Sequence, residues 1–221
     1  QILEGIRVLE LGQLIAGPFA AKTLADFGAH VVKVEPPGQG DPLRKWRMLY
    51  EDTSVWWEAQ SRNKQSICID LRNPQGQAVV RKLAAEADVL IENFRPGTME
   101  KWGLGYEALR AENPGLIMVR VSGYGQTGPY AARPGYDFII QGMGGFMSLT
   151  GERDDLPGGG PQKAGVAISD LMTGQYATIA VLAALAVLTM VLPNYTSAIP
   201  GPMLSQSQLA FAGIASLVLY G

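Results

Sequence analysis

A chain of 221 residues with 47% hydrophobic and 17% charged residues is globular and long enough to bury a sizeable core in one large domain or two small ones. Its 18 basic and 20 acidic residues leave a net charge of −2 with no basic block, which argues against nucleic acid as a partner. A single cysteine, Cys68, rules out an internal disulfide framework and any Cys-based metal cluster, and the single histidine, His30, has no second ligand near it in sequence, so no metal is expected.

The opening residues, Gln1 to Arg7, carry neither the basic region nor the apolar stretch of a signal peptide. With cysteine so sparse, a reducing, cytoplasmic compartment is the expectation, and the lack of an initiator Met points to residues ahead of Gln1. Apolar, β-branched runs at Ile6 to Leu11, His30 to Glu35, Ser66 to Asp70, Asp88 to Glu92 and Leu116 to Val121 predict strands buried on both faces. Between them, Pro18 to Phe27 has helical spacing and stops at Gly28, and Asn73-Pro74 opens a helix that runs to about Ala87. This alternation predicts an α/β fold with a doubly wound, mostly parallel sheet, its ligands outside the carboxyl ends of the strands. Cys68, inside an apolar run, is expected to be a buried filler.

Two connections stand out. Pro36 to Asn63 is long for a compact domain and holds Trp56 and Trp57, which either line a pocket or anchor the loop. Gly123 to Gly165 is dense in Gly and Pro, and Pro157-Gly158-Gly159-Gly160-Pro161 reads as a flexible flap. The turn Leu11-Gly12-Gln13-Leu14-Ile15-Ala16-Gly17-Pro18 is either a tight strand-to-helix turn or a loop whose amides hold a phosphate. With Glu35 placed like a ribose-binding acid it suggests an NAD-dependent dehydrogenase, but the spacing is not Gly-x-Gly-x-x-Gly, so that reading is weak.

Asp170 is the last formal charge in the chain. It stands where a helix is expected to begin, and on local grounds Asp170 or Ser169 is a helix cap or Asp170 is a catalytic carboxylate. Beyond it, Tyr176 to Leu192 is a charge-free, Ala-rich run at the lower length limit for crossing a bilayer. Without Lys or Arg anchors it is expected to be a core helix rather than a membrane span.

Nine motifs in one order carry a family resemblance. They are Leu14-Ile15-Ala16-Gly17-Pro18, Lys33-Val34-Glu35-Pro36-Pro37, Gly40-Asp41-Pro42-Leu43-Arg44, Asn63-Lys64-Gln65-Ser66-Ile67, Glu92-Asn93-Phe94-Arg95-Pro96-Gly97, Gly103-Leu104-Gly105-Tyr106, Gly123-Tyr124-Gly125-Gln126-Thr127-Gly128-Pro129, Gly135-Tyr136-Asp137 and Ser169-Asp170-Leu171-Met172-Thr173-Gly174. Together they cover about residues 3 to 186, and the chain resembles the family III CoA-transferases, the group of formyl-CoA and carnitine CoA-transferases.

The resemblance implies a Rossmann-like large domain over residues 1–186, incomplete, followed by an apolar helical tail over 187–221 in which the family match ends. It therefore implies a truncated or altered copy. It implies Asp170 as the nucleophile, passing through an aspartyl anhydride and an aspartyl-CoA thioester as CoA moves from an acyl-CoA to a small carboxylic acid. Coenzyme A would be the co-substrate, with no metal, and the partner a second copy in an interlocked dimer, not a membrane. CoA would lie against Ile15, Ala16, Ile69, Asp70, Leu71, Arg72, Asn93, Phe94, Arg95, Lys101, Arg133, Tyr136 and Asp137. Formyl-CoA transferase has a basic residue where this chain has Pro36. The related acyl-CoA racemases use a Gly-His-Asp motif where this chain has Gly135-Tyr136-Asp137, which favours transferase over racemase. An inactive, CoA-binding remnant is the alternative, and the sequence does not name the donor or acceptor.

Overall fold

The computed structural model describes residues 1–188. In chain order the elements are β1 (Arg7–Glu10), α1 (Ala16–Asp26), β2 (His30–Glu35), a 3-10 turn (Pro42–Lys45), β3 (Leu49–Tyr50), β4 (Thr53–Ser54) and α2 (Val55–Ser61). There follow β5 (Lys64–Cys68), α3 (Pro74–Glu86), β6 (Val89–Glu92), α4 (Thr98–Lys101), α5 (Tyr106–Glu112) and β7 (Ile117–Arg120). The chain then leaves the sheet for α6 (Asp137–Met143), α7 (Phe146–Thr150) and α8 (Ile168–Ala186).

All five predicted strands pair in one parallel sheet of order β5-β2-β1-β6-β7, while β3 and β4 form a separate hairpin. The chain builds outward from β1 through β2 to β5, then returns to β6 on the other side of β1. The winding direction therefore reverses between β1 and β6, and the crevice outside their carboxyl ends is where a ligand is expected in such a sheet.

Alternation along each strand makes the two faces apolar independently. Val8, Val31, Val89 and Ile91 face α1 and α8, meeting Ala20, Ala21, Leu24, Val181 and Leu185. Leu9, Val34 and Leu90 point the other way, onto Val80 and Ala84 of α3, Met99 of α4 and Leu109 of α5. α1 ends as its glycine predicts: Gly28 has φ +105°, its N–H bonds to the Ala25 carbonyl, and the Ala29 N–H bonds to the Leu24 carbonyl. α3 begins at Asn73, whose side chain accepts from the Gln75 N–H at 2.9 Å, with Pro74 in the first turn.

The 36–63 connection folds into the 3-10 turn, the β3/β4 hairpin and α2. Trp57 is buried under the Arg44 guanidinium, 3.8 Å from its ring centroid, and so anchors the loop. Cys68 corrects its expectation: it ends β5, the edge strand among the described residues, and is exposed with Gln65, Ser66 and Ile67 because the described elements leave both faces of that strand uncovered. α8 corrects another. Gly174, Thr178, Val181 and Leu185 are buried, but Met172, Tyr176, Ile179 and Val187 are exposed, so α8 is a core helix on one side only. Residues 189–192 of the predicted apolar run lie outside the described residues.

Candidate active site

Three loops and two helix starts converge at the β1/β6 crevice. Asn93, just past β6, accepts from the Gln13 N–H at 2.8 Å and donates to the Gln13 carbonyl at 2.7 Å, which locks the loop after β1 to the loop after β6. Leu14 holds φ +62°, a left-handed conformation that a leucine adopts at a cost. The Asp41 carboxylate holds it there by accepting from the Leu14 N–H at 3.1 Å. Below, Lys33 donates to the Gly12 carbonyl at 2.7 Å and pairs with Glu10 at 2.8 Å and Asp41 at 2.9 Å. Lys64 reaches the other Glu10 oxygen at 2.7 Å.

The electrostatics of this buried cluster divide by neighbour. Burial alone pushes Lys33 down, but Glu10 and Asp41 together outweigh it and leave it above the usual lysine value. Lys64 goes the other way, because burial dominates, with Glu10 offsetting only part of it and Lys33 repelling it. Glu35 is pushed up by burial, yet Arg44, Ser66 and the Asp41 N–H outweigh that and hold it at about 2. With Arg44 on both of its oxygens, at 2.7 and 2.8 Å, Glu35 has no ribose-binding role.

The far wall comes from the segment after β7. Gly123 and Gly135 abut: a Cβ built on either would fall 2.4 Å from the other's Cα, so neither position accepts a side chain without backbone movement. That contact brings Tyr136 and Asp137 to the sheet's carboxyl edge, where α8 begins. α8 lies close on α1 because Gly174 has no side chain; a Cβ there would sit 2.7 Å from the Ala16 carbonyl oxygen.

Asp170 occupies the first turn of α8 and is not its cap. The N-cap is Ala167, which has no side-chain acceptor. Asp137 supplies the acceptor from α6 instead, taking the Ser169 N–H at 2.8 Å and the Asp170 N–H at 3.4 Å. Burial first, and the nearby Asp137 charge second, raise Asp170 from 3.8 to about 6. The favourable end of the helix dipole does not offset that burial.

Asp170 opens onto a cleft of about 250 Å³ that Ala16, Asn93, Phe94, Arg95, Arg133 and Tyr136 also line. A second cleft, of about 160 Å³, is lined by Ile69, Asp70, Leu71 and Arg72. Gln13 and Phe94 border both, and the Phe94 ring is packed edge-on against Trp102 with centroids 5.2 Å apart. Ile15 is buried beneath the first turn of α1, and Lys101 is exposed on α4 and borders neither cleft. Arg72 already has a partner, Asp70, at 2.9 Å. Gln13, Ser122, Thr173 and the buried Gln141 were not legible in sequence; Thr173 alone carried a signal, one helical turn after Asp170.

The profile of CoA-transferase family III matches residues 3–188. A succinyl-CoA–D-citramalate CoA-transferase of Chloroflexus aurantiacus is 52% identical over 184 residues, covering 83% of this chain and 45% of that protein. A succinate–glutarate CoA-transferase of Agrobacterium fabrum is 50% identical, covering 83% of this chain and 46% of its own length. A crystal structure of a CAIB/BAIF family protein from Brucella suis superposes with a TM-score of 0.78 at 42% identity, over 98% of this chain and 57% of that one. The chain thus spans a little under half the length of these curated relatives.

Proposed function

The chain belongs to CoA-transferase family III, and from that premise we propose that it moves CoA from an acyl-CoA to a small carboxylic acid with Asp170 as nucleophile. The observation that carries the reading is the placement of Asp170: a half-buried carboxylate at the sheet's switch point, facing a cleft that shares Gln13 and Phe94 with a neighbouring one. In this reading the nucleotide end of CoA lies against Ile69 to Arg72, and the thioester passes Gln13 and Phe94 to reach Asp170.

The Asp170 carboxylate attacks the thioester carbonyl, forming an aspartyl anhydride and releasing CoA thiolate. The thiolate attacks the aspartyl carbonyl, giving the enzyme thioester and the free donor acid. An incoming carboxylate attacks that thioester, again expelling thiolate, and the thiolate takes the acyl group from the new anhydride and frees Asp170. Each step exchanges activated acyl groups, so no metal or ATP is called for. A carboxylate at about 6 remains mostly ionised at neutral pH while being more basic than an ordinary aspartate, which suits a nucleophile.

The relatives' names point to succinyl-CoA as donor and a dicarboxylic acid as acceptor. The guanidinium groups of Arg95 and Arg133, which line the cleft, suit such acids. A homodimer in the cytoplasm is part of the same proposal. The test is incubation with succinyl-CoA followed by hydroxylamine, with peptide mass analysis. An Asp170 hydroxamate is the expected product; binding of CoA with no modification at Asp170 would reduce the reading to a CoA-binding protein.

A further inference from the structure

One buried side chain joins the Gly-rich segment to the first turn of α8. Gln141, on α6 and 1% exposed, donates through Nε2 to Oδ2 of Asp137 at 2.6 Å and to the Val166 carbonyl at 3.4 Å. Its Oε1 accepts from the Ala164 N–H at 2.9 Å. Asp137 stands four residues earlier on the same helical face, and its other oxygen accepts the N–H groups of Ser169 and Asp170. The amide's orientation follows from its surroundings: a carboxylate requires a donor and a backbone N–H requires an acceptor. Met, of similar length, satisfies neither requirement, and an ionised Glu satisfies only the acceptor one.

We propose that Gln141 is a positioning residue for Asp170, whose amide sets the Asp137 carboxylate against the start of α8 and ties it to the backbone at Ala164 and Val166. The geometry makes this more than packing. α8 has no cap of its own, so its first turn is held by Asp137, and Asp137 is held by Gln141. Loss of a buried amide's partners carries the full desolvation cost of the groups left behind. The proposal rests on the reading of Asp170 as nucleophile.

The test compares the wild-type chain with Gln141→Met and Gln141→Glu, reading the Asp170 carboxyl titration and the amide exchange of Ala164 and Ser169 by NMR. Among the described residues, Asp137 on α6 is the charge that acts on Asp170, Arg95 and Arg133 line the same cleft, and Lys22 and Asp26 of α1, the helix packed on α8, pair with each other. In Gln141→Met the released Asp137 withdraws its charge, so the Asp170 midpoint falls from about 6, and both amides exchange about tenfold faster. In Gln141→Glu, read where the new carboxyl is ionised, the acceptor for Ala164 is kept and the donor to Asp137 is lost. The Ala164 amide then stays protected, Ser169 loses protection about tenfold, and the added charge moves the midpoint upward. Opposite displacements are the signature; no displacement, or both in one direction, overturns the proposal. The wild-type chain provides a check that needs no variant to fold: free exchange at Ala164 while Ser169 is protected would also overturn it. None of these readouts uses acyl-CoA, so a chain that shows them but does not label at Asp170 loses the nucleophile assignment and keeps the tether.

Discussion

Asp170→Asn is expected to make the protein more stable at neutral pH while removing the proposed nucleophile. Burial and Asp137 raise Asp170 from 3.8 to about 6, so ionising it in the folded protein is costly. A carboxyl raised on folding favours the folded state fully below its unfolded value, near 3.8, and that contribution is lost as pH rises through the folded value, about 6. Above pH 7 the wild-type chain therefore bears a penalty that the neutral amide avoids. At about 1.4 kcal/mol per pH unit the shift sets an upper bound of about 3 kcal/mol, and partial solvent screening reduces this to about 1–2 kcal/mol. Urea unfolding of both proteins at pH 8 and pH 4 measures the difference. The variant should be more stable by that amount at pH 8, with the gap closing toward pH 4. A variant no more stable at pH 8, or a gap independent of pH, would refute the assignment of a strained carboxylate at this site.

Two further substitutions probe the frame that holds the crevice. Lys33→Met removes the cation between Glu10 and Asp41 and leaves Asp41 uncompensated in the interior, which should cost about 3–5 kcal/mol by denaturant unfolding; a loss under about 1 kcal/mol would mean that the cluster re-forms around Lys64. Gly174→Ala places a methyl 2.7 Å from the Ala16 carbonyl oxygen and 3.0 Å from the Phe19 ring. The overpacking, about 1–3 kcal/mol, exceeds the helix-propensity gain of about 1 kcal/mol, so the net expectation is destabilisation, read by thermal unfolding, and an unchanged or stabilised variant would show that α8 can move away from α1 without cost.

The inner strands β1, β2 and β6 were legible because each is rich in apolar residues buried on both faces, whereas β5, Lys64–Cys68, is mostly exposed. α1 and α3 were legible because their ends are written locally, in Gly28 and in Asn73-Pro74. The motif series was equally direct, and its family is the one the chain belongs to. Reading failed where one element depends on another far away. Cys68 lies in an apolar run yet is exposed, because burial of β5 depends on what packs over its faces. Half of α8 is exposed for the same kind of reason: composition cannot say which side meets α1.

The site shows the same division. From sequence, Asp170 was a carboxylate at a helix start, and that local pattern left a helix cap and a catalytic carboxylate both open. The fold instead gave the cap to Asp137, 33 residues earlier, and used burial to raise Asp170. Gln141 carried no mark in the sequence, because a lone glutamine has no spacing that singles it out; its meaning lies in the groups it meets. The sequence by itself determined the sheet strands, the helices α1 and α3, their order and the family, since backbone propensity, apolar periodicity and motif order are properties of neighbours along the chain. Only the tertiary structure decided which groups share a desolvated space at the β1/β6 crevice, because charge and hydrogen bonding act through distance and dielectric, and both are set by folding.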